Sequence, residues 1–257
     1  MNSIVLIPTY NERDNLVTLV AEIHKAVPNV DVLIIDDNSP DGTGAIADML
    51  AHDDTRVQVV HRTGKLGLGT AYVVGFRWAL ARDYERIIQM DADFSHRPDD
   101  LPFLLDVAKY ADVVIGSRNV AGGGTENWPR KRKLLSMLGS LYGRSLLGLS
   151  VTDCTSGFKC FRRRALESLD LDAVQSNGYS FQVEINDLCQ RAGLRVVEAP
   201  IIFPQRIHGH SKMSNNIMFE ALGLFWRLRL QSALTGQSHG TRRNVLAAQA
   251  SHDGRAD

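Results

Sequence analysis

Two short apolar runs, Val32-Leu33-Ile34-Ile35 and Ile87-Ile88-Gln89-Met90, end directly on acidic clusters, Asp36-Asp37 and Asp91-Ala92-Asp93. The runs are rich in β-branched residues and bounded by polar ones, the pattern of parallel strands buried on both faces. In open α/β sheets, ligands sit in the crevice outside the carboxyl ends of the strands. Carboxylates crowded there repel one another unless a cation or a bound donor group satisfies them. The two clusters together predict a metal-assisted site for a phosphorylated ligand.

Strand and helix patterns alternate from the start. Strands are predicted at 3–7, 32–35, 57–60, 87–90 and 113–115, with helices at 12–27, 42–51, 68–81 and 101–110 between them. Such alternation argues for right-handed βαβ units and a doubly wound sheet with helices on both faces. Gly122-Gly123-Gly124 then opens a flexible stretch ending in Trp128-Pro129, and a helix over 130–147 begins with Arg130-Lys131-Arg132-Lys133. The alternation blurs up to Asp170; a helix over 181–191, a strand over 196–203 and a last helix over 214–234 follow. One domain over 1–235 is expected, with a polar tail over 236–257 too poor in apolar residues to pack.

Length and charge sharpen this. A chain of 257 residues is ample for one large α/β core. Net charge is zero, yet residues 1–117 carry 10 Lys/Arg against 18 Asp/Glu, and residues 118–234 carry 16 against 9. For any single charge a solvated surface is the plainer explanation. A swing of −8 to +7 between halves suggests an acidic, cation-binding half joined to a basic, anion-binding half. Cys154, Cys160 and Cys189 lack metal or redox spacing, which suits a reduced cytosolic compartment. With no signal peptide and no apolar stretch near the roughly 18 residues of a spanning helix, a transmembrane anchor is not expected.

Several motifs have both a structural and a functional explanation. After the first strand, in Pro8-Thr9-Tyr10-Asn11-Glu12, proline should stop the ladder, and Asn11 and Glu12 suit a helix start. Tyr10 and Glu12 at the sheet edge also suit a base and a ribose. Asp41 and Thr43 are natural capping residues, whereas Asp37 at a strand end has no such excuse and suits ribose or base-edge recognition. Gly64-Lys65-Leu66-Gly67-Leu68-Gly69 is in the wrong place for a dinucleotide fingerprint and reads as a tight loop at a ligand, with Lys65 near phosphate. Asp91-Ala92-Asp93 is the strongest signal: Mg2+ favours one or two carboxylates with the remaining positions filled by water and substrate phosphates.

Taken in order, these motifs, with Gly116-Ser117-Arg118, Thr155-Ser156-Gly157-Phe158 and Ser211-Lys212, resemble the inverting GT-A glycosyltransferases of family 2. Within that family the chain is most similar to dolichol-phosphate and polyprenol-phosphate mannose synthases, over roughly residues 2–230. The resemblance implies a GT-A, Rossmann-like, doubly wound mixed sheet with a C-terminal amphipathic helix. It implies GDP-mannose as donor, a polyprenyl monophosphate as acceptor, and Mg2+ or Mn2+ as cofactor. Pro8, Tyr10, Glu12, Ile35 and Asp37 match the residues that hold guanosine, and Asp91, Ala92 and Asp93 match those that bind donor and metal. Arg118, Arg206 and Lys212 match basic residues facing the phosphates, and Arg132 and Ser136 fall in the acceptor-phosphate region. Ser95 departs from the pattern, standing where several prokaryotic relatives place a metal-touching Gln, so water or only two protein ligands are expected.

On this resemblance Asp91, Asp93, Arg118 and Arg132 carry the reaction. The four charges opening the 130–147 helix oppose its macrodipole, a sign that a bound phosphate reverses. The 214–234 helix, with Trp226, Arg227 and Arg229 beside a broad apolar surface, suits partial burial and partial seating in a membrane interface. The implied location is peripheral on the cytoplasmic membrane face, with a separate membrane-anchor protein as a possible partner and no nucleic acid. A UDP-glucose-dependent polyprenyl-phosphate glucosyltransferase stays open as an alternative. So do a sugar nucleotidyltransferase and a non-catalytic nucleotide-binding scaffold.

Overall fold

In a computed structural model of the chain, residues 2–204 are described except Asn177 and Tyr179, with Lys131 described by its backbone alone. The predicted 214–234 helix, the tail, Arg206 and Lys212 lie outside the described residues.

The strands are β1 (Ser3–Thr9), β2 (Asp31–Asp36), β3 (Val57–His61), β4 (Arg86–Gln89), β5 (Val113–Ser117), β7 (Lys159–Arg162) and β8 (Val196–Pro200). They form one sheet in the order β3-β2-β1-β4-β7-β5-β8. Every neighbouring pair is parallel except those made by β7, which runs antiparallel to β4 and β5. The sheet is therefore mixed. The resemblance implies such a mixed sheet, but the residue pattern did not locate its antiparallel member, because Lys-Cys-Phe-Arg offers only two apolar residues and no run.

Alternation along β1 explains the layers. Ile4 and Leu6 pack with Tyr72 and Phe76 of α3 (Leu68–Leu80) and Phe181 and Ile185 of α7 (Phe181–Arg191). Val5 and Ile7 pack on the other face with Leu16 and Leu19 of α1 (Arg13–Ala26), Ala47 of α2 (Thr43–Asp53) and Leu104 of α4 (Leu101–Val107). Successive strand residues face opposite sides, so one apolar strand feeds both cores. A short α6 (Arg163–Glu167) follows β7.

Two expectations about prolines need correction. Pro8 does not stop the ladder to β2, where β1 continues with Pro8 opposite Ile35 and Thr9 opposite Asp36. The Thr9 carbonyl accepts from Asp37 N–H on the β2 side, so the Pro8 nitrogen faces β4, beyond the last pair of Leu6 with Gln89. On that side the ladder does end, as a proline without an N–H requires. The single strand expected over 196–203 is instead broken after Pro200. Ile202–Phe203 forms β9, which pairs with β6 (Gly124–Thr125) in a separate two-stranded sheet. Between β6 and β7 runs the long helix α5 (Arg130–Leu147), with the predicted bounds.

Candidate active site

The carboxyl ends of β1 and β2 finish level, and their loops cap one another. Asn11 N–H donates to Ser39 Oγ at 3.1 Å, Glu12 N–H to Thr43 Oγ1 at 3.0 Å and Arg13 N–H to Asp41 at 3.2 Å. The start of α1 is thus capped by Asp41 from the neighbouring loop rather than by Asn11, whose φ is 59°. Glu12 accepts from the Asn15 amide at 3.0 Å. Lys65, itself exposed, lies over the half-buried Tyr10, 4.5 Å from its ring centroid.

Adjacent aspartates at the end of β2 do separate jobs. Asp36, 2% exposed, accepts from Thr9 Oγ1 at 3.0 Å and from Ser39. Asp37 pairs with Arg62 Nη1 at 2.6 Å and accepts from Leu66 N–H at 3.1 Å. Arg62 also donates to the Gly67 carbonyl and to Thr70 Oγ1, so one buried ion pair shapes the glycine-rich loop. Burial pushes the Asp37 carboxyl up despite its partner. Sequence reasoning missed Arg62, whose only signal was a lone cation between a strand and a glycine loop. Ile35 is fully buried in the core.

The turn after β4 holds the second cluster. Asp91 Oδ1 accepts from the Tyr72 hydroxyl at 3.2 Å, and Asp91 N–H donates to His96 Nδ1 at 3.0 Å. The neutral imidazole then carries its proton on Nε2, which lies 3.9 Å from Asp91 Oδ2. Burial lowers the His96 pKa and raises that of Tyr72 well above a free phenol. A side chain at Gly157 would come within 3.4 Å of both Asp91 oxygens, so glycine there keeps the carboxylate uncovered on that side. Phe94, at φ 58°, turns the chain so that Ser95 N–H and its hydroxyl both donate to Asp93 Oδ1. Ser95 thus faces its neighbour's carboxylate.

Among the described residues no group of three or more His, Cys, Asp and Glu side chains could hold a metal ion. The Asp91–Asp93 pair supplies hard oxygen donors, and a pair is what Mg2+ or Mn2+ takes when substrate phosphates complete the shell. The donor chemistry fits such an ion.

Opposite, Arg118 follows the end of β5 and is fixed from behind. Its backbone N–H and its Nε donate to Asp153 Oδ2 at 2.9 and 2.7 Å, and Nη2 donates to Thr155 Oγ1 at 2.8 Å. Asp153 is fully buried, and its own N–H donates to Glu198 of β8 at 2.9 Å. Arg132, in the first turn of α5, lies 3.7 Å from the Trp128 ring centroid, with Arg118 at 5.4 Å from the same ring. An aromatic series connects the two sides: His96 stacks on Phe158 at 5.0 Å and meets Phe203 edge-on at 5.1 Å, and Phe203 meets Trp128 at 6.5 Å.

Arg132, Ser136, Ser140, Gly143 and Leu147 recur at helical spacing along one side of α5, and the last three are buried. Leu134, Leu135, Met137, Leu138 and Leu141 lie on the other side, 44–57% exposed. Sequence reasoning saw the cations of this helix and missed its exposed apolar face.

A family model described as glycosyl transferase family 2 matches residues 4–170. The undecaprenyl-phosphate mannosyltransferase of Micrococcus luteus is 50% identical over 222 residues, covering 86% of this chain and 91% of that protein. The polyprenol monophosphomannose synthase of Mycolicibacterium smegmatis is also 50% identical, covering 86% of this chain and 84% of its own. Among solved structures, a mannosyltransferase from Pyrobaculum calidifontis in complex with GDP-Man and Mn2+ has a TM-score of 0.53 at 16% identity, covering 91% of this chain and 64% of that one. That last likeness is one of fold, the GT-A arrangement.

Proposed function

Because the chain belongs to glycosyl transferase family 2, we propose that it transfers mannose from GDP-mannose to a polyprenyl monophosphate, inverting the anomeric centre and releasing GDP. What carries the proposal is similarity along most of the chain to two proteins named for mannosylation of undecaprenyl and polyprenyl phosphates. The facing sets of carboxylates and arginines support it chemically.

In this reading Tyr10, Glu12 and Asp37 receive the guanosine, with Pro8 and Ile35 contributing backbone. Asp91 and Asp93, with Ala92 between them, hold Mg2+ or Mn2+, which when bound offsets charge on the leaving diphosphate. The acceptor is a phosphate monoester with a second pKa of roughly 6, so it arrives ionised and needs no general base. Tyr72 keeps its proton and donates it to Asp91, and His96 is neutral with Nδ1 already engaged, so neither is needed as a base. Arg118, Arg132 and Ser136 hold the acceptor phosphate in line with the anomeric carbon, while Arg118, Arg206 and Lys212 serve the donor diphosphate. Catalysis is then largely positioning and charge neutralisation.

The acceptor's prenyl chain places the enzyme at a membrane surface, on the cytoplasmic face where nucleotide sugars are found. Among the described residues no helix is long and apolar enough to cross a membrane. The exposed leucines of α5, flanked by basic residues at its start, suit a helix lying in the interface.

The direct test follows radiolabelled mannose from GDP-mannose into a polyprenyl phosphate lipid by chromatography. A labelled lipid that forms only with added divalent metal is the expected result. Label entering from UDP-glucose and not from GDP-mannose would overturn the donor assignment.

A further inference from the structure

Building on the proposed acceptor role of Arg118 and Arg132, we infer that Trp128 is the positioning residue that holds these two guanidinium groups together for the acceptor phosphate. Its indole is 8% exposed and stands where three chain segments meet. Arg132 of α5 lies 3.7 Å from its ring centroid, and Arg118, after β5, lies 5.4 Å away. The indole N–H donates to the Pro204 carbonyl at 3.1 Å, just beyond β9.

The two arginines are held differently. Arg118 is fixed through Asp153 and Thr155, and it also lies 4.5 Å from the Phe203 ring. Arg132 sits in the first turn of α5, where the positive end of the helix dipole disfavours a cation. Two guanidinium groups near one site also repel each other. The negative face of an indole attracts both, and Trp is the strongest aromatic partner for such cations. Trp128 therefore offsets the repulsion and keeps Arg132 at the same ring as the bracketed Arg118.

The loop before Trp128 is tied down as well. A side chain at Gly123 would come within 2.4 Å of the Ser117 carbonyl, so this turn lies close against the end of β5. A space-filling role alone would leave substrate affinities untouched, which makes the two explanations separable.

The experiment uses the full chain with Trp128→Leu, Trp128→Phe and Arg132→Ala, alone and combined, with thermal unfolding as the fold control. Trp128→Leu should raise the KM for a short polyprenyl phosphate about tenfold, the scale of a desolvated cation–π contact, and leave the calorimetric Kd for GDP-mannose within about twofold. Trp128→Phe keeps a π face and should recover most of the loss. Arg132→Ala should cost much less in the Leu background than in the natural one. An unchanged acceptor KM, equal losses for donor and acceptor, or full additivity overturns the inference. If Trp128→Leu does not fold, the Phe variant combined with Arg132→Ala decides by the same additivity criterion. If the natural protein labels no lipid, the mannosyltransfer proposal fails instead. The stack is then read from Trp128 emission in a Trp78→Phe/Trp226→Phe background, where Arg132→Ala should shift it and an unmoved spectrum overturns the inference.

Discussion

Asp37 shows how a functional candidate can also hold the fold. In the sequence it had no local partner, and its partner Arg62 lies 25 residues on, just past the end of the neighbouring β3. Both side chains are under a tenth exposed, so removing one strands the other's charge. Breaking a buried pair from one side costs about 3–5 kcal/mol. Arg62→Ala should lower unfolding free energy by that order in urea titration and weaken GDP-mannose binding, because Gly67 and Thr70 lose their donor. Unchanged donor affinity would separate Asp37 from nucleoside recognition. Asp93 makes a different prediction, since its carboxylate accepts from Ser95 within its own turn, beside the proposed metal position. Asp93→Ala should abolish turnover and Mn2+ binding. Full activity in chelator-washed protein would sink the metal assignment.

At the scale of elements, legibility followed hydrophobic pattern. β1, β2, β4 and β5 announced themselves as apolar runs, and the Asp91–Asp93 cluster was visible because it closes one of them. β7 was hidden because its strand is half charged, with Lys159 buried in a place where sequence puts charges outside. Tyr72, Asp153 and Glu198 were not legible as site partners, since each reaches the site from a distant element through a buried polar bond. The helix α5 was placed correctly and understood by half. Its cations drew the attention, while the fold half-buries Arg132 and Ser136 and leaves Leu134, Leu138 and Leu141 in solvent. Burying one such leucine in an interface is worth about 1.5–3 kcal/mol. Leu138→Glu should therefore reduce co-sedimentation with anionic vesicles at least tenfold, while GDP-mannose binding stays unchanged. Equal sedimentation of both proteins would remove α5 from the membrane contact.

Across the whole molecule, the acidic first half and the basic second half meet where β7 inserts between β4 and β5. Lys159 lies at that seam, fully buried, donating to the Ser156 carbonyl and Gln182 Oε1. Desolvation lowers its pKa to about 7 from an ordinary 10.5, against the pull of Asp153 and Asp91. Between those values the unfolded chain binds a proton that the folded protein does not, so stability rises with pH. Below pH 7 both states are protonated and the folded state bears the full cost of a buried charge. The buried thiols of Cys154, Cys160 and Cys189, pushed to about 12, act oppositely, but only above their unfolded value of 9. The window for Lys159 is therefore pH 7 to 9, with a slope of up to about 1.4 kcal/mol per pH unit. Lys159→Met fills the same space without a titrating group and should flatten urea-unfolding free energy across that window. A variant that keeps the natural protein's slope would show that another group sets it.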